Sequence, residues 1–179
     1  MPIEEQKINE ISRKLGSILL EKGIVILQSA FKSLKPVSFS FGDLKTYFLN
    51  AGINTPLNQF DYKYFSVDRE TFEILLDLVV LDKAMYLAEQ RDCDNFASLL
   101  TSLFGFLFGL NTFGIGYGEI WGKSTGKFIA LHYFNLFATK DGKIYLFDSL
   151  NPAESVLIEK GKDIVVNNWK YIIKSATFF

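Results

Sequence analysis

The chain has 179 residues, 49% of them hydrophobic and 16% aromatic, so it can bury a sizeable core and is not a disordered segment. Its formal net charge of -1 excludes a general polyanion binder, because phosphate recognition needs clustered Lys and Arg, and no nucleic-acid partner is expected. A single cysteine allows neither an internal disulfide nor a Cys-rich metal site.

The first residues are charged and lack the apolar stretch of a secretory signal, so a cytoplasmic location is expected, with the compartment otherwise unconstrained. Ile8, Ile11, Leu15, Ile18 and Leu19 recur at helical spacing and predict a helix over 4–22. Lys35-Pro36 breaks the ambiguous stretch that follows. A short helix is expected from Phe41 to Asn50, stopped by Ala51-Gly52, then a loop over 54–58 and a strand near 62–67. Asp68 is a good N-cap for a helix through Phe72–Leu81.

Cys93 to Leu110 reads as a central apolar helix, and Asn111 to Gly118 as a glycine-rich connection. From Ile115 the pattern turns to strands, separated by Lys123-Ser124-Thr125-Gly126 and by Lys140-Asp141-Gly142, a hairpin signal. Helices followed by antiparallel strands predict an α+β fold. The whole chain, 1–179, reads as one domain: a helical N-terminal extension over 1–60 and a core over 61–179.

No charged residue occurs between Asn95 and Gly118, and Gly105 and Gly109 form a GxxxG pair. That length suits a bilayer span, which takes ~20 apolar residues. Membrane association through 95–118 is therefore one alternative. Ser98, Thr101, Ser102 and the glycines favour a buried helix leading into a turn, and a membrane partner is the weaker reading.

The one cysteine and the one histidine sit where thiol chemistry needs them. Cys93 opens a helix, where unpaired N–H groups and the dipole favour a thiolate. His132 lies in a strand-like run and can take the thiol proton, and Asp148 ends the next strand and can hold the imidazole in one tautomer. With a three-residue loop centred on Asp141, Asp148 faces Phe134 and is diagonal to His132. A strict two-residue loop puts Asp148 opposite Asn135, and a bulge is then needed. Asp92 and Asp94 oppose a thiolate by their charge. With a third oxygen donor they could hold a hard divalent cation, and no other cofactor is implied. Gln90 and the Cys93 N–H are the candidate oxyanion donors, Asn135 a supporting residue and Trp121 a candidate cleft wall.

Asp92-Cys93-Asp94-Asn95-Phe96-Ala97, then His132-Tyr133-Phe134-Asn135, then Asp148 before Pro152, resembles the papain-like and transglutaminase-like cysteine enzymes. The likeness is greatest to the small cysteine-peptidase domain in the C-terminal part of a mushroom agglutinin and to its phage and bacterial relatives. It covers roughly residues 80–155. Asn95 stands where that family has a second acidic residue, Asp148 where a Glu is usual, and three residues separate Asp148 from Pro152.

The resemblance implies a papain-like core, a central helix packed on an antiparallel sheet. It implies Cys93 as nucleophile, His132 as base and Asp148 as orienting acid. The expected activity is thiol-dependent acyl transfer, chiefly peptide or amide hydrolysis on a peptide or amide substrate, with transglutaminase-like transfer as a variant. The alternative from another class is a catalytically silent binding or structural module on the same fold, of viral or phage origin.

Overall fold

Ser40 begins the local order. Its backbone N–H donates to Asp43 Oδ2 at 2.8 Å, and its Oγ accepts from the Asp43 N–H at 3.2 Å, a reciprocal cap that starts helix α1, Phe41–Asn50. Leu44 and Phe48, four apart, are the buried face. Gly52, at φ +84°, ends the turn beyond it. The computed structural model describes residues 36–79, 92–151 and 155–179. The expected helix over 4–22, together with Gln90 and Pro152, lies outside these residues.

Strand β1, Val37–Ser40, pairs antiparallel with β3, Lys63–Ser66, and between them β2, Leu57–Gln59, joins the main sheet. Residues 36–60, expected as part of a helical extension, thus contribute two strands and a helix to the same compact unit as the rest, Pro36–Phe179. Helix α2, Arg69–Val79, starts where Asp68 Oδ1 accepts the Thr71 N–H at 2.9 Å.

Helix α3 runs Cys93–Leu103 and passes into one π-helical turn, Phe104–Phe108. Gly109, at φ +67°, then turns the chain, its N–H donating to the Gly105 carbonyl at 3.0 Å. The glycine pair that suggested membrane packing therefore builds a helix end. Phe113 already begins β4, Phe113–Gly122. The membrane reading of 95–118 is corrected on this ground: the segment is split between helix and strand. Among the described residues no helix is long and apolar enough to cross a membrane.

The remaining strands are β5, Phe128–Ala138, β6, Ile144–Phe147, β7, Val156–Leu157, β8, Ile164–Val166, and β9, Trp169–Phe178. The main sheet has seven strands in the order β2-β9-β4-β5-β6-β7, with β8 paired to β9. All its pairings are antiparallel except β2 with β9.

Both faces of β5 are buried toward its Ala138 end. On one face Phe134 and Leu136 join Leu44 and Phe48 of α1 and Tyr171 and Ile173 of β9. On the other, Phe137 and Phe113 meet Phe72 of α2 and Phe104; the Phe104 and Phe113 rings stack at 4.1 Å. The abundant phenylalanine is core, as such rings stabilise by area and by ring geometry. Gly116 is required for the first face, because a Cβ there would stand 2.3 Å from the Phe134 ring.

The expected papain-like core is corrected here. The described chain is mostly β-sheet, and its three described α-helices are of 10 or 11 residues. The reason lies in strands 37–40 and 57–59, whose short patterns carry little period-2 signal.

Candidate ligand-binding site

β6 accompanies β5 only as far as the pair Asn135–Phe147. Beyond it β5 runs on to Phe128 without that neighbour, and a cleft of about 480 Å³ opens there. Ile129, Ala130, Leu131 and His132 of β5 form one wall, with Cys93, Leu150 and Trp169 completing it. The register comes from Lys140-Asp141-Gly142. The Thr139 N–H donates to the Lys143 carbonyl at 2.9 Å, and Gly142 sits at φ +78°, giving a three-residue loop. Asp148 thereby follows Phe147 on the face of His132, and of the two register options the three-residue loop is the one formed.

His132 and Asp148 are both buried, and His132 Nε2 lies 2.8 Å from Asp148 Oδ2. Asp148 is held from two further sides. The Tyr171 hydroxyl donates to Oδ2 at 2.6 Å, and the Leu150 N–H donates to Oδ1 at 2.9 Å. Burial would push the His132 imidazolium down. The Asp148 hydrogen bond and the Cys93 thiol beside the ring more than reverse this and raise its pKa to about 9. The imidazole is therefore charged at neutral pH. Burial, then the Asp148 charge, pushes the Tyr171 phenol well above its ordinary value, so it remains a donor.

Cys93 is the first residue of α3 and half-buried. The Asp92 N–H donates to Asn95 Oδ1 at 3.3 Å, so Asn95 closes the helix start. The Asn95 N–H in turn donates to Asp94 Oδ1 at 2.9 Å. Asp92 and Asp94 thus belong to the helix start, and among the described residues no group of three or more His, Cys, Asp or Glu side chains that could hold a metal ion occurs.

The structure brings Cys93, His132 and Asp148 together, and it separates other expected residues from them. Asn135 is buried on the α3 side, donating to the carbonyls of Ala97 at 2.9 Å and Gly114 at 3.2 Å and to Thr101 Oγ1 at 3.0 Å. It fastens the helix to the sheet and faces no cleft. Trp121 does not line this cleft: its Nε1 donates to Glu119 Oε2 at 2.9 Å and its ring meets Phe128. The cleft tryptophan is Trp169, edge-on to the His132 ring at 6.1 Å. Trp169 and Tyr171 escaped the sequence reading. Their signal is the alternation Trp169-Lys170-Tyr171-Ile172-Ile173, whose odd positions share a face.

No family model and no curated protein matches the chain. Several solved structures share the fold, two of them as follows. One is described as a PSL1a-E64 complex; the other is Polyporus squamosus lectin bound to the human-type influenza-binding epitope Neu5Aca2-6Galb1-4GlcNAc. Each matches with a TM-score of 0.55 and 16% identity over 79% of this chain. The chain spans about half the length of each, 51% and 49%. The chain is therefore similar in fold to a lectin. This corrects the resemblance to papain-like cysteine enzymes and, with it, the expected peptidase activity and peptide or amide substrate.

Proposed function

We propose that the chain is a ligand-binding module, with a glycan carrying a carboxylate as its ligand, seated in the cleft beside Cys93, His132 and Trp169. The supporting observation is the pairing, in one apolar cleft, of a charged imidazole with an indole ring. Sites of this kind join apolar walls to a few placed polar groups. Asp148 holds Nε2 of His132 and the Cys93 thiol hydrogen-bonds to the same ring, so the imidazolium offers its charge rather than a free N–H. That charge suits a carboxylate, and Trp169 offers an apolar surface to a sugar ring. The Polyporus squamosus lectin ligand contains such a carboxylated sugar, Neu5Ac. Asp148 serves as the anchor of the imidazole, and Cys93 as the polar group beside it.

Calorimetric titration with Neu5Aca2-6Galb1-4GlcNAc, and separately with E64, tests the reading. Saturable glycan binding should be lost in Trp169→Ala and in His132→Gln. Absence of glycan binding, or binding indifferent to both substitutions, overturns it. Binding of E64 alone, lost in both variants, would keep the cleft and replace the glycan as its ligand.

A further inference from the structure

We infer that Tyr171 is a positioning residue for His132, acting through Asp148. This rests on the cleft being the ligand site only for its consequence; the contact itself is independent of any ligand.

Asp148 follows the last residue of β6, where the chain has left the sheet and turns through Ser149 and Leu150. A carboxylate in such a turn has rotamer freedom unless something fixes it. The Leu150 N–H holds Oδ1, but that bond alone lets Oδ2 swing about the axis it defines. Oδ2 is the oxygen that meets His132. The Tyr171 hydroxyl, on β9, is the second anchor on that oxygen.

Tyr171 is itself fixed. Its ring packs edge-on to Phe134 at 5.5 Å, and its oxygen accepts from Asn151 Nδ2 at 3.3 Å. Asn151 is pinned in turn, donating to the Val166 carbonyl at 3.1 Å and accepting at Oδ1 from Asn167 Nδ2 at 2.7 Å. Asn167 stands in the β8–β9 turn at φ +52°, a conformation Asn tolerates better than most residues. The same turn leads directly into Trp169. One hairpin therefore supplies both the aromatic wall of the cleft and the lock on the carboxylate. Among the described residues, the charged or titratable groups facing His132 are Cys93 from α3, Asp148 after β6 and, through Asp148, Tyr171 from β9.

Two roles for the phenol predict opposite outcomes. As a mere donor it drains charge from Asp148, and removing it would make the carboxylate a stronger partner for the imidazolium. As a positioning group it keeps Oδ2 on the imidazole, and removing it would loosen that contact. His132 is the only histidine, so its ring protons can be followed by NMR without assignment ambiguity.

The test is the titration of His132 in wild type, Tyr171→Phe and Asn151→Ala, with no ligand present. In Tyr171→Phe the midpoint should fall from about 9 towards the 6.5 of a free imidazole, with Asn151→Ala intermediate. The Phe variant keeps the ring against Phe134, and a wild-type near-UV circular dichroism spectrum checks its packing. Should it misfold, the Asn151→Ala titration decides alone. A midpoint unchanged or raised in the folded variant overturns the inference. Failure of glycan binding would not bear on it, since the ring titrates without ligand.

Discussion

His132 and Asp148 meet because a three-residue loop stands between their strands. Thr139 pairs with Lys143 across Lys140-Asp141-Gly142, and from that pair every later partner is fixed, down to Asn135 with Phe147. One residue more or fewer in the loop would send the Asp148 side chain to the opposite face.

Gly142 carries that loop and should be intolerant of a side chain. It lies at φ +78°, and a Cβ would stand 2.8 Å from the Tyr47 ring. Gly142→Ala should cost about 1–2 kcal/mol, read as a lower midpoint in urea unfolding. A wild-type midpoint would mean that the loop adopts another turn at no cost.

Asn135 should prove structural. Its amide makes three buried bonds that tie α3 to β4 and β5. Asn135→Ala removes these three buried bonds and leaves the space of the amide unfilled, and the expected loss is about 2–3 kcal/mol. Ligand affinity at saturating folded protein should stay near wild type. A specific loss of affinity with normal stability would place Asn135 in the site after all.

The His132–Asp148 pair makes stability depend on pH in the alkaline direction. The folded pKa, about 9, lies above the ~6.5 of an unfolded histidine, so the stabilisation is complete below pH ~6.5 and lost as pH rises through 9. Relative to His132→Gln, wild type should lose on the order of 3 kcal/mol between pH 6 and 10. Parallel stability profiles for the two proteins across that range would mean that the imidazole gains nothing from Asp148.

Cys93 should react faster when His132 is present. The thiol is half-buried and lies beside the imidazole, so alkylation by iodoacetamide at neutral pH should slow by about tenfold in His132→Ala. Mass spectrometry of the intact protein gives the rate, with urea-unfolded samples as reference. Equal rates in the two folded proteins would show that the thiol and the ring do not cooperate.

Local order was legible where one residue dictates it. Gly52 beyond Ala51 marks the end of α1, and Asp68 the start of α2. Asp141-Gly142 marks a hairpin, and the residues around Cys93, His132 and Asp148 stand close in space as their spacing suggests. The rest depends on partners far apart in the chain. Nothing in Leu57-Asn58-Gln59 announces a parallel pairing with Ala176–Phe178. Nothing local to Tyr171 points to Asp148, 23 residues earlier. The apolar run after Asn95 misled because hydropathy does not distinguish one long helix from a short helix followed by a buried strand, and Gly109 is what separates them.

The ninth strand lies between the first and third strands of the main sheet's path, β2 on one side and β4 on the other. During synthesis the ribosome delivers β4, β5 and β6 with one edge of β4 bare until Trp169–Phe178 emerges. The sheet cannot close earlier, and closing loops of that length makes for slow folding. A nascent chain halted before Trp169 would hold Cys93, His132 and Asp148 yet lack the wall and the lock that shape their cleft. The strand that joins β2 to β4 is thus also the one that gives the cleft its wall and its lock.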